Sequence, residues 1–305
     1  ENNVPGSVVA SENQQLFIIG DAANKEDGKQ TEYNNTPVSA DLYVGGIVGY
    51  CEKNSRLRIV NSRNSGNLSR RSKAGSGEYV SLKAYLKSAE VDAEAEDLEG
   101  EDLKVSIGGG VIGANLEHQI IDHCANEGTM NGFVGLGGIV GFNAGGVFNC
   151  ELSHNFGSPG LDYIGGIAGL NVHAGDRMYS YKDVMGTEWA GPVSGTVAKC
   201  RTAAGIRISG RRCVGGVVGF NLSDAQMKSN ENHADVSGSG SYVGGMAGAN
   251  SGKILLSDSS GNESAYTVAG SGEGTGGVVG HNRSGGSVDI TGASGASREI
   301  VAVNG

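Results

Sequence analysis

The chain has little of what builds an ordinary globular core. Aromatic residues are 6% of its 305 positions, with 1 Trp and 6 Phe, so any interior is thin and made of Val, Ile, Leu and Ala. Proline is scarce at 4 residues while glycine reaches 54, far above a usual share of about 7%. Without a collagen-like period, that glycine is assigned to turns. No run of about 18 apolar residues occurs, so no transmembrane helix is encoded, and membrane insertion of this chain is not expected. Basic residues are outnumbered, 23 Lys and Arg against 33 Asp and Glu, for a net charge of −10. A nucleic-acid partner calls for a basic patch, and an anionic membrane would repel this chain. No signal peptide is present and the chain opens on Glu1 rather than Met, which reads as a mature or trimmed product.

What the chain does have is one heptapeptide, repeated. Gly137-Gly138-Ile139-Val140-Gly141-Phe142-Asn143 has relatives beginning at Gly45, Gly109, Gly165, Gly215, Gly244 and Gly276, seven copies in all, at steps of 64, 28, 28, 50, 29 and 32 residues. Self-similarity at about 20–50 residues marks an array whose units bury their apolar faces only by stacking. A propeller blade needs about 40–45 residues, more than the uninterrupted copies supply. The reading is all-β: a parallel β-helix-like solenoid of about seven to eight coils with two loop insertions.

Each motif position has a physical job in that reading. The first apolar site (Ile47, Val111, Ile139, Ile167, Val217, Met246, Val278) would stack as a ladder, and the second tolerates Ala168 and Ala247. Two adjacent apolar residues break strict alternation, so either both faces are covered or the glycine pair makes a bulge that resets the phase. Glycine suits that place by accepting positive φ and by letting another backbone approach closely. The closing Asn, present in six of seven copies and replaced by Cys51 in the first, suits a tight turn and can bond along a ladder.

A looser motif lies between copies, as in Ile121-Asp122-His123-Cys124 and Val147-Phe148-Asn149-Cys150; with it, two short strands per period are expected. Cys124, Cys150 and Cys200 share a position held elsewhere by Ser62, Asn230 and Ser257, which predicts buried, inward thiols. A zinc set from His118, His123, Cys124, Cys150 and His154 matches no standard ligand spacing, and no metal or other cofactor is expected.

These two motifs together resemble the GLUG-motif repeat family of bacterial surface proteins: a hydrophobic residue, Gly-Gly, two apolar residues, Gly, any residue and Asn, after a strand containing Asn and Cys. The likeness covers about residues 43 to 290 apart from the insertions. It implies an exported, adhesin-like protein at the outer cell surface or outside the cell. There the motif is a structural repeat without catalytic residues to transfer.

Residues 1 to 42 read as an N-terminal cap or degenerate first coil, 43 to 290 as the solenoid, and 291 to 305 as a C-terminal strand or cap. The first insertion, about 69 to 106, carries Tyr79 to Leu86 and an acidic run from Glu90 to Asp102. That run lacks the spacing of a calcium loop and reads as a solvated segment. The second, about 172 to 196, holds Tyr179, Tyr181 and Trp189 among Asp176, Arg177, Asp183 and Glu188. Aromatic faces beside polar groups are what a sugar or peptide surface needs. Tyr179, Tyr181, Trp189, Asp176 and Arg177 are therefore the candidate ligand-binding residues, against the plainer reading that the rings pack the loop onto the solenoid.

Strings fitting GxGxxG, such as Gly108 to Gly113, overlap the repeat and open no helix, and no P-loop, GxSxG elbow or HExxH helix is present. The function expected is a non-enzymatic adhesion or binding scaffold whose partner is a host or bacterial surface protein or glycan, with end-to-end self-association through exposed coil ends. The alternative is a polysaccharide lyase or hydrolase using Asp176, Asp183 and Glu188 with Arg177, a reading that rests on fold analogy.

Overall fold

The structure, a computed structural model, describes residues 17–19, 31–34, 37–51, 57–71, 80–88, 104–116, 119–175, 181–189, 193–257, 266–291 and 300–304. Each glycine motif folds as two short strands around the glycine pair, as in Leu136–Gly137 and Val140–Asn143. The chain then runs through Gly146–Phe148, Glu151–Leu152 and Phe156–Gly157 before the next copy opens at Ile164–Gly165. A coil thus has five short strands where two were expected. The extra corners come from single residues in the left-handed conformation. Asn61, His123, Asn149, Lys199 and Ser229 (φ between 48° and 53°) turn one corner of successive coils, while Gly135, Tyr163, Cys213, Tyr242 and Gly274 turn another. Asn and His tolerate that region better than most residues, and no sequence rule flags Lys199 or Tyr163 for it.

Equivalent strands of successive coils pair in parallel and in register. One eight-stranded sheet runs from Phe17–Ile19 to Ser287–Thr291, and two seven-stranded sheets carry the strands before and after the glycine pairs. The result is a parallel β-solenoid of about seven coils. Phe17–Ile19, Thr31–Asn34 and Val38–Ala40 add strands beneath the first coil, and Ile300–Asn304 pairs with Tyr266–Gly270 at the other end.

Both apolar residues of each motif face the interior, because the backbone bends between them. The N–H groups of Ile139 and Val140 both donate to Ile167 O, at 3.0 and 2.9 Å, and those of Val217 and Val218 both donate to Met246 O, at 3.0 and 2.9 Å. Two donors on one acceptor place consecutive side chains on one face, which is the phase reset of a bulge. Ile139, Val140, Ile167, Ala168, Val217 and Val218 are accordingly sealed in one core with Ile121, Val147 and Val197.

The motif glycines are needed for space rather than for backbone freedom, which corrects half of the sequence reading: none of them has positive φ. A Cβ on the first, Gly137, would collide with Val140 O, and one on the second, Gly138, with Gly166 O of the next coil. On the third, Gly219, it would meet Gly169 O at 2.6 Å and Ile164 N at 2.8 Å.

The closing asparagines form a ladder, buried from Asn115 to Asn250 and exposed at Asn282. Asn115 donates to Asn143 (2.7 Å), Asn143 to Asn171 (2.8 Å), Asn171 to Asn221 (2.8 Å), Asn221 to Asn250 (2.8 Å) and Asn250 to Asn282 (2.7 Å). Each rung repeats one amide geometry at the coil spacing of about 4.8 Å. The cysteine column is equally regular. Cys124, Cys150 and Cys200 are buried with no disulfide; Cys124 N–H donates to Cys150 Sγ and Cys150 N–H to Cys200 Sγ, both at 3.4 Å, and Cys200 N–H to Asn230 Oδ1 at 2.9 Å. The position wants an acceptor for the amide one coil below, which is why Ser, Cys and Asn interchange there.

A second apolar strip lies outside the barrel of the coil, where Ala114, Phe142, Leu170, Phe220 and Ala249 meet Ile107, Tyr163 and Cys213. Within the first insertion, Val80–Ser81 pairs antiparallel with Lys104–Val105, and between them runs the helix Leu82–Ser88. Ser81 Oγ caps the helix by accepting from Ala84 N–H at 3.1 Å. Leu82 and Leu86, one turn apart, lie fully buried on the strip. The acidic run from Glu90 to Asp102 lies outside the described residues.

Candidate functional site

The site is built on the outward face of the eight-stranded sheet, where the register sets Asp122, Phe148, Ala198 and Lys228 side by side in successive coils. Gly146, two residues before Phe148, leaves the room that its ring occupies: a Cβ there would come within 2.5 Å of Phe148 Cε2. The second insertion lies over this ring. Its described part is a hairpin in which Tyr181–Lys182 pairs with Glu188–Trp189. The turn between them closes with Asp183 N–H to Thr187 O and Gly186 N–H to Asp183 O, both 2.9 Å, with Gly186 at φ 87°. Phe148 lies 5.2 Å from Tyr181 and 4.9 Å from Trp189, centroid to centroid, inside the range of favourable aromatic pairs.

Two carboxylates lock the hairpin. Asp122, fully buried, accepts from Tyr181 Oη at 2.5 Å and Val184 N–H at 2.7 Å through Oδ2, and from Asn149 Nδ2 at 2.8 Å through Oδ1. Burial raises its pKa above the ordinary value, against the pull of those three donors. Asp183 accepts from Thr187 N–H at 2.7 Å and Trp189 Nε1–H at 2.9 Å. Burial alone would raise its pKa too, but hydrogen bonds from Trp189, Thr187 and Asn149 and the charge of Lys199 outweigh it, and the net shift is downward. The Tyr181 hydroxyl is pushed far up by burial and by the neighbouring Asp122 charge. Three cations complete the cluster. Lys199 and Lys228 stand 5.6 and 5.3 Å from the Trp189 ring, and Arg58 stands 5.0 Å from Tyr181. Lys199 also donates to Thr187 Oγ1 at 2.5 Å.

Of the expected residues, the structure brings together Tyr181, Trp189 and Asp183 and leaves Glu188 exposed beside Lys182. Asp176, Arg177 and Tyr179 lie outside the described residues. Tyr181 spends its ring on Phe148 and its hydroxyl on Asp122, so it works as an anchor; Trp189 stays half-buried, and Met185 at the tip is 67% exposed. Sequence reading missed Asp122, Phe148, Asn149, Lys199 and Lys228. Asp122 left a signal, a carboxylate in a column that holds Val60, Phe148 and Ala198 in neighbouring coils. Of the set weighed for zinc, Cys124 and Cys150 are sealed inside, His123 Nδ1 lies 2.6 Å from Asn61 Oδ1, and His118 is outside the described residues. Among the described residues no three His, Cys, Asp or Glu side chains come together as a metal-binding group. Compared with known protein families, with curated proteins and with solved structures, the chain gives no match in any of the three.

Proposed function

We propose that the chain is an exported, non-enzymatic repeat protein of the GLUG-motif kind at a bacterial cell surface, a stiff scaffold that holds its insertions out to a glycan or protein partner. The observation that carries this reading is the way the 181–189 hairpin is held. Its base is clamped to the sheet by Asp122 and Phe148, while its tip and one side of Trp189 reach solvent. Binding segments held on a rigid array are the usual division of labour in repeat proteins. The seven glycine motifs support the family likeness. A carbohydrate-cleaving role has less support, since both oxygens of Asp183 are spent inside the hairpin.

The test is titration calorimetry against a panel of host and bacterial polysaccharides, using the intact chain and a variant lacking residues 174 to 190. The expected result is saturable heat that the variant loses. Heat that continues at catalytic protein concentrations would mean turnover and overturn the non-enzymatic reading. Equal heats from both proteins would remove the insertion from the binding surface.

A further inference from the structure

Between the second and third coils, on the side face, the sheet is split. Met130–Asn131 pairs only with the coil below, through Leu68 and Ser69, and Phe156–Gly157 pairs only with the coil above, through Ile208 and Ser209. No ladder joins the two strands although their Cα atoms approach within 8 Å. A change of spacing lies one coil above the split. From the cysteine column to the register-equivalent apolar residue of the side strand there are six residues in Ser62 to Leu68, Cys124 to Met130, Cys150 to Phe156 and Asn230 to Val236, but eight in Cys200 to Ile208. The two extra residues belong to the turn at 203–206, with Gly205 at φ 78°, and Gly205 and Ile206 border the same opening as Met130 and Phe156. The opening is a groove of about 510 Å³, within the range of about 300–1,000 Å³ of small-molecule sites.

The lining is divided by chemistry. Met130, Phe156 and Ile206 form an apolar floor, and Thr129, Asn155, Arg207, Ser209 and Asp235 stand around it. Asn155 spends its Oδ1 on Arg207 N–H (2.8 Å) and Asp235 its Oδ1 on Thr267 N–H (2.8 Å). Among the described residues, Asn155 Nδ2, the Arg207 guanidinium, Ser209 Oγ and Asp235 Oδ2 make no hydrogen bond or ion pair. They converge on one opening as donors and acceptors of both kinds.

We propose that this groove is a second binding site, separate from the insertion, for an uncharged pyranose unit of a polysaccharide. The apolar floor suits the C–H face of a sugar ring. A carboxylate oxygen, an amide and a guanidinium at the rim match neighbouring hydroxyls, which both give and accept hydrogen bonds. Arg207 and Asp235 occupy paired positions on adjacent strands, so the local charges cancel, and the net charge of −10 disfavours a polyanion. A peptide strand inserted into the split is excluded by width, because it needs about 9.6 Å between its neighbours. The site shares no residue with the hairpin, so it stands whether or not the insertion binds anything.

The experiment is saturation-transfer NMR and titration of the whole chain with neutral hexa-saccharides of glucose, mannose and galactose, with oligogalacturonate as the charged probe. At least one neutral probe is expected to bind saturably, at least tenfold more weakly to Arg207→Ala and to Thr129→Trp, with the same loss when both are made in a Trp189→Ala background. Thermal unfolding of each variant confirms that it folds. Binding that is lost in Trp189→Ala and kept in Arg207→Ala would overturn the groove while leaving the insertion reading intact. A tenfold preference for oligogalacturonate, or no neutral probe bound, would also overturn it.

Discussion

Asn115 gives its side-chain amide to Asn143 at 2.7 Å, yet among the described residues its own Oδ1 is buried without a hydrogen-bond partner. The residue beneath it in the same register is Cys51, which has no amide to offer. Every later rung both gives and receives, so the ladder carries one uncompensated acceptor at its first step.

Cys51→Asn is expected to complete the column and stabilise the chain by about 1 kcal/mol, the net worth of a buried hydrogen bond. Asn171→Leu, in mid-ladder, orphans groups on both neighbours and is expected to cost about 2–5 kcal/mol. Urea unfolding of both variants measures the difference. A neutral or destabilising Cys51→Asn with an unchanged fold would mean that the acceptor is already satisfied by other means.

The third motif glycine offers a sharper contrast. In Gly219→Ala the new methyl meets three backbone atoms of the neighbouring coil within 2.8 Å, and backbone cannot step aside as a side chain can. A loss of about 3 kcal/mol or more is expected, at the upper end of overpacking costs. At Gly205 nothing lies within 4 Å of a Cβ, and only the left-handed backbone (φ 78°) resists, so Gly205→Ala is expected to cost about 1 kcal/mol. Equal losses at the two positions would refute close approach as the reason for the motif.

The hairpin clamp has a pH dependence with two opposite limbs. Asp122 has its folded pKa raised above 3.8, so the folded state holds that proton more tightly. It contributes stability on acidification through its folded value and withdraws it as pH rises. Asp183 has its folded pKa lowered below 3.8, so its contribution is present above the unfolded value and is lost as pH falls through the folded one. Amide exchange protection at Val184 and Thr187, corrected for intrinsic rates, should therefore rise as pH drops from 7 toward 3.8 and fall below that. Asp122→Asn should abolish the rise and Asp183→Asn the fall. A monotonic profile in the native chain would contradict the assignment.

Some of this was legible in the sequence and some was not, and the boundary follows the range of the interactions. The motif, its spacing and the shared Cys–Ser–Asn position suffice for a parallel solenoid with an inward polar column, because each coil repeats the same local demands on its neighbours. The two insertions were visible as interruptions of that spacing. The reason for the glycines was legible only in part, since a collision with Gly169 O and Ile164 N is a contact between coils, not a property of one heptapeptide.

By itself, then, the sequence determined the repeat, the ladder of asparagines and the aromatic content of the second insertion. The tertiary structure decided that Tyr181 faces inward onto Asp122, that Phe148 and two lysines surround Trp189, and that Met130, Phe156 and Ile206 meet at one groove. The physical reason is that stacking brings residues from different coils into one row. Asp122 and Tyr181 are 59 positions apart in the chain and share no local pattern, so only the register of the sheets makes them partners.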